Sequence, residues 1–127
     1  MDIATHREID RGLCGTPLNV AAGASRVELA TTPQMAVDDK GLVHGGYVFG
    51  LADHAAMVAV NHPNVVLGSS EVKFLKPVKV GDTVTAEAVV SESSGKKQRV
   101  DVTVKKGDEA VFTGRFTCFI LDRHVLD

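Results

Sequence analysis

The sequence predicts an α+β domain, an antiparallel sheet wrapped around one long central helix, and two patterns carry that prediction. The run GGYVFGLADHAAMVAVN over residues 45–61 has helix length, is rich in Ala, Leu and Met, and is stopped by Pro63. Downstream, apolar side chains recur at every second position: Val84, Ala86, Ala88 and Val90, then Val100, Val102 and Val104, then Phe112, Phe116, Cys118 and Ile120. A period of two marks strands with one buried face. A sheet with one apolar face needs a cover, and the single apolar helix is the candidate.

The elements follow in order. Residues 4–12 (ATHREIDRG) are expected to form a short helix within an N-terminal segment 1–17, closed by the punctuation from Gly12 to Pro17. Residues 18–22 and 26–32 read as a hairpin around Gly23, Ala24 and Ser25. Pro33 breaks the second strand, and Asp38-Asp39-Lys40-Gly41 is a polar loop. The helix comes next; Asp53 and His54 are its main polar residues, so it lacks a solvent stripe and is expected to be buried on most sides. Strands at 65–77, 82–91, 98–105 and 110–121 complete the chain, separated by Gly-containing turns. Connections this short predict a four-stranded antiparallel meander.

Composition narrows the function classes. At 127 residues the chain suits one domain, 1–127, with 44% apolar and 24% charged residues and a net charge of −2. That balance gives no reason to expect a nucleic-acid or membrane partner, and no uninterrupted apolar stretch is long enough to cross a bilayer. The polar start MDIATHREIDRG is unlike a signal peptide. A cytoplasmic protein is expected, with Cys14 and Cys118 as free thiols. Neither belongs to a CxxC pair, and no His/Cys cluster has zinc spacing, so no metal site is expected.

The segment His44-Gly45-Gly46-Tyr47-Val48-Phe49-Gly50-Leu51-Ala52-Asp53 resembles the HGG…LAD signature of hotdog-fold acyl-CoA thioesterases of the phenylacetate-pathway (PaaI-like) type. Phe74-Leu75-Lys76-Pro77-Val78 with Gly81-Asp82 resembles the strand and turn that follow in that family. The resemblance implies a hotdog fold and hydrolysis of an acyl-CoA thioester to free acid and coenzyme A. It implies no cofactor, coenzyme A being part of the substrate. It further implies a homodimer or homotetramer with active sites at the subunit interface. Asp53 matches the helix carboxylate that acts as general base or nucleophile. Gly46 matches the glycine whose N–H binds the thioester carbonyl oxygen. His44 matches the histidine that shapes the HGG turn, with substrate contact as a further role. Gly45 and Tyr47 fall beside them as substrate-binding candidates. Asp38 stands where many relatives carry an Asn, and Ser69 and Ser70 lie close to a strand position where some carry a catalytic Ser.

Elementary chemistry agrees with the two central assignments. A helix start presents unpaired N–H groups and positive dipole to a carbonyl oxygen gaining charge. Asp53 follows Gly46 by about two helical turns and so shares its face. A carboxylate in apolar surroundings is a stronger base. Other residues stay open between two readings. Lys76 and the surrounding cations are lysines on a solvated face or contacts for the coenzyme A phosphates. Tyr47, Phe49, Met57 and Phe74 line an acyl tunnel or fill the core. His54 is expected at a subunit contact, and His6, His62 and His124 on the surface. The helix is also expected to be too apolar for its own sheet to cover, which argues independently for an oligomer. The rival reading is a non-catalytic acyl-CoA sensor like the hotdog domain of the malonyl-CoA-responsive repressor of fatty-acid synthesis.

Overall fold

The computed structural model describes all 127 residues. A short helix α1, Arg11–Cys14, precedes strands β1, Thr16–Ala21, and β2, Ala24–Ala30; a 3₁₀ turn, Pro33–Met35, leads to the long helix α2, Gly45–Val60. Strands β3, Val65–Phe74, β4, Thr83–Ser94, β5, Lys97–Lys106, and β6, Glu109–Ile120, follow. All six strands form one antiparallel sheet in the order β1-β2-β4-β5-β6-β3. Its inner face closes on α2, which is the hotdog arrangement.

The alternation in the sequence decides which face turns inward. Val84, Ala86 and Ala88 of β4, Val100, Val102 and Val104 of β5, and Phe112, Phe116 and Cys118 of β6 are all buried, and their neighbours in sequence, Val111 excepted, face outward or are half-buried. Against them lie Leu51, Ala52, Ala55, Ala56 and Ala59 of α2. Small side chains on the helix let the sheet approach closely. Ser25 of β2 donates from its buried hydroxyl to the Ala55 carbonyl at 2.7 Å, tying sheet to helix. Asn61 ends α2 in the left-handed conformation (φ 53°), an Asn-tolerated C-terminal stop ahead of Pro63.

Three expectations are corrected. The last four strands are not a simple meander: β4, β5 and β6 are consecutive neighbours, but β3 pairs with β6 at the sheet's edge and β4 pairs with β2. The connector between β3 and β4 does not fold back. Leu75 and Lys76 donate to Val111 O, Val78 O accepts from Val43, and Thr31 donates to Asp82 O, so it crosses the start of α2 from one side of the sheet to the other. Second, no helix spans 4–12. Residues 4–12 lack an apolar period, and the only helix nearby is α1, started by Asp10, whose carboxylate accepts from Leu13 N at 3.1 Å. Third, α2 is covered within one chain. Val58 is fully buried yet stands outside the sheet-facing core, because residues 1–15 lie over that side of the helix. The uncovered-helix argument for an oligomer therefore falls.

Gly15 joins α1 to β1 at φ +97°, where an added Cβ would lie 2.6 Å from Leu51 Cδ1 and 2.8 Å from Val27 Cγ1. Both the backbone and the space demand glycine. Gly15→Ala is expected to lower unfolding stability by roughly 2–4 kcal/mol, read from urea denaturation midpoints at constant m-value.

Candidate active site

The loop before α2 fixes where the helix begins. Asp38 folds that loop on itself, its Oδ1 accepting from Lys40 N at 3.0 Å and Leu42 N at 3.3 Å. Ala36 bridges to Val43 and His44 N donates to Met35 O at 2.9 Å, which delivers His44 to the N-cap position. The His44 side chain makes no capping bond; its carbonyl accepts from Tyr47 N at 3.1 Å, and its ring meets Tyr47 edge-on at 6.1 Å. The N–H groups of Gly45 and Gly46 have no partner, as expected of a helix's first turn. A Cβ at Gly46 would touch the His44 ring at 3.0 Å, and one at Gly45 would touch Phe74 at 3.0 Å. Both glycines keep the approach to these donors open.

Asp53 sits two turns further on, half-buried, with Oδ1 buried and without a hydrogen-bond partner. Burial pushes its carboxyl up to about 6. Burial first, then the charges of Asp10 and Asp53, raise the Cys14 thiol; for Cys118, burial first and Asp53 second push it up to about 12. Cys118 is therefore held as the thiol and is no nucleophile in that state. Phe49, on the same stretch of α2, packs against Phe116 with ring centroids 5.5 Å apart. The arrangement offers a basic carboxylate and unpaired N–H donors on one helix, the components of acyl transfer to water.

The remaining candidates separate. Gly45 and Lys76 border one apolar groove of about 290 Å³ at the start of α2, with Leu42, Val48, Phe74 and Leu75 among its walls. Phe74 and Leu75 are exposed there, while Met57 is core. Asp38 is absorbed by its loop and makes no contact with Asp53. Ser69 pairs with Thr117 across from β6, on the sheet face turned away from α2; Ser70 pairs with the buried Phe116 and so stands on the helix side. A bulge at Gly68 sets this phase: the register shifts between Leu67 and Ser69, and a Cβ at Gly68 would collide with Phe119 at 2.4 Å. Of the cations in the middle strands, Lys96, Arg99, Lys105 and Lys106 pair with Asp122, Glu92, Glu87 and Asp82. They are neutralised surface groups.

His54 does not face outward to a partner. It is 2% exposed, its Nδ1 lies 3.0 Å from Cys14 O, and His6 stacks on it at 6.4 Å. His6 is therefore no ordinary surface residue either. The odd spacing of polar His54 within an Ala-rich helix was the available signal, and only the N-terminal segment's path resolves it.

Residues 40–113 match the family model described as the thioesterase superfamily. The chain belongs to that superfamily. It is 55% identical over 123 residues to a methylthioribose-1-phosphate isomerase of Aquifex aeolicus, covering 96% of this chain but 27% of that protein. It is 34% identical over 85 residues to the transcription factor FapR of Thermoanaerobacter sp., covering 67% of this chain and 42% of that protein. The chain thus spans under half the length of these relatives. Among solved structures, an uncharacterized protein of Pyrococcus horikoshii superposes with TM-score 0.99 at 52% identity, covering 100% and 98% of the two chains. The E. coli PaaI protein from the phenylacetic acid degradation operon superposes with TM-score 0.83 at 26% identity, covering 92% and 88%. No helix is long and apolar enough to cross a membrane.

Because the folded Asp53 carboxyl titrates near 6 rather than 3.8, the native state holds its proton more tightly than the unfolded chain. Stability from this group is greatest below about pH 4 and falls as pH rises through 6. Asp53→Asn is therefore expected to match wild type in acid and exceed it at pH 7–8, by on the order of 1 kcal/mol after allowing for solvent screening. Denaturation curves across that pH range measure the difference.

Proposed function

We propose that the protein is an acyl-CoA thioesterase in which Asp53 is the reacting carboxylate and the N–H groups at the start of α2 hold the thioester carbonyl oxygen. The observation that carries this is the half-buried Asp53, raised to about 6 with one oxygen unpaired, on a helix whose first two N–H groups are free. A structural acid would have its oxygens satisfied. Coenzyme A belongs to the substrate, and no cofactor takes part. The methylthioribose-1-phosphate isomerase name does not carry over, since the match spans 27% of that protein.

Spacing speaks to how the two parts cooperate. Seven residues of helix rise about 10 Å, more than the two contacts of about 3 Å that an oxyanion donor and an attacking carboxylate make with one carbonyl. Within one chain, a water must stand between Asp53 and the carbonyl, which favours the general-base role. Alternatively a second copy brings its Gly46 beside Asp53. The open edge of the ten-residue β3, with exposed Phe74 and Leu75 at its end, suits pairing with a second copy. We infer a homodimer or a dimer of dimers with interfacial sites; sedimentation equilibrium is expected to give a dimer or tetramer at micromolar concentration, and a stable monomer opposes it.

The second reading, a non-catalytic acyl-CoA sensor, is favoured by the 34% identity to FapR, a transcription factor. The two readings part on turnover. Wild type is expected to release thiol from at least one member of a panel of acyl-CoAs, with kcat/KM rising as pH passes about 6 and Asp53 loses its proton. Asp53→Asn is expected to lower kcat by about 10²-fold or more with acyl-CoA binding retained. Binding without turnover in wild type supports the sensor, and equal turnover in both proteins removes Asp53 from the chemistry.

A further inference from the structure

The outer side of α2, away from the sheet, is covered by the chain's own first fifteen residues, and a few polar contacts hold them there. His54, Val58 and Asn61 are spaced four and three residues apart and form one stripe along that side. Asn61 acts as a two-pronged clasp: its Oδ1 accepts from Ala4 N at 2.7 Å, and its Nδ2 donates to Asp2 O at 2.8 Å. Val58 is 0% exposed and Thr5 5%. In the middle, His54 Nδ1 donates to Cys14 O at 3.0 Å, and the His6 ring lies over His54, centroids 6.4 Å apart and planes 21° from parallel. His6 is held there in the left-handed region, φ 53°, with Nδ1 2.8 Å from Thr5 Oγ1.

We propose that residues 1–15 are a pH-operated strap, docked on the His54–Val58–Asn61 stripe while both imidazoles are neutral and released when they take up protons. The stacked geometry favours uncharged rings. Two imidazolium ions at this separation in a partly dry contact repel each other, and Arg11 adds a third positive charge. Around His54 the strap contributes His6, Arg11 and Cys14, with Asp10 set against Cys14. On α2 the neighbouring acid is Asp53, whose charge is felt by Cys14 and is itself lost near pH 6. Behind Gly15, β2 turns Val27 inward and leaves Glu28 in solvent. Neither Asp10 nor Asp53 accepts a hydrogen bond from His6 or His54, so no carboxylate is paired with either ring.

Burial is the main cause that lowers both histidines, helped by His54 for His6 and by Arg11 for His54, against the bond to Cys14 O. A base whose docked pKa is depressed binds its proton better when released. Docking is thus complete above about pH 6.5 and weakens as pH falls below it. Each coupled proton multiplies the released-to-docked ratio by about tenfold per pH unit, so the pair gives up to about a hundredfold.

Amide NMR of the full chain between pH 8 and 5 tests this. The Ala4 backbone amide and the Asn61 side-chain amide are expected to leave their hydrogen-bonded shifts together below about pH 6.5, before any change in the β5 amides of Val100, Val102 and Val104. His6→Asn keeps a residue tolerant of the left-handed backbone and is expected to reduce the steepness from about a hundredfold to about tenfold per pH unit. His6→Asn with His54→Gln, which retains a donor for Cys14 O, is expected to stay docked at pH 5. Wild-type strap signals that do not move by pH 5, or that move only in step with β5, overturn the proposal. So does unchanged steepness in His6→Asn, which decides the matter even if the double variant fails to fold.

Discussion

The enclosure of α2 is the constraint on which the rest of the structure depends. Nine of its sixteen residues are buried, from Val48 to Ala59, and no single layer of a small chain could achieve that. The sheet covers the Leu51–Ala55–Ala59 side, and the N-terminal segment covers the His54–Val58 side. Two consequences follow. A polar group on the enclosed sides of this helix meets protein more than water, so it is paired or shifted. His54 is paired with Cys14 O; Asp53 is not paired, and its proton affinity rises instead.

Glycines then determine what this helix presents at its start. Gly45 and Gly46 are poor helix formers in isolation, and the loop bonds through Met35, Val43 and Val78 hold the first turn in place for them. What is gained is access: two free N–H groups, with Gly46 beside the His44 ring and Gly45 beside Phe74 on the wall of an apolar groove. The same connector that walls the groove, residues 75–82, also forces β3 to the edge of the sheet by crossing over the helix start. Apolar groove and open sheet edge are therefore products of one chain crossing, which places a candidate binding surface next to a candidate subunit contact.

Much of this was legible in the sequence, for reasons that are local. The strands β4, β5 and β6 alternate in sequence because one face of each is buried, and the alternation of Val100, Val102 and Val104 needs no knowledge of what they touch. The helix ends where Asn61 and Pro63 say it ends. The HGG…LAD spacing placed Asp53 and Gly46 on one face of one helix, and the structure keeps them there. The choice between Ser69 and Ser70 is equally local but invisible to periodicity: the Gly68 bulge advances the phase by one residue and places Ser70 on the helix side.

By itself, then, the sequence determined the class of fold, the extent of the long helix and the identity of its one acid, since each depends on period, composition and spacing along the chain. Tertiary structure alone decided the partner of β3, the path of residues 1–15 and the surroundings of His54. Those rest on contacts between residues tens of positions apart, such as Asn61 with Asp2 and Ala4, or Leu75 with Val111. Such contacts are made with backbone groups, which every residue carries alike, so no pattern of side chains announces them.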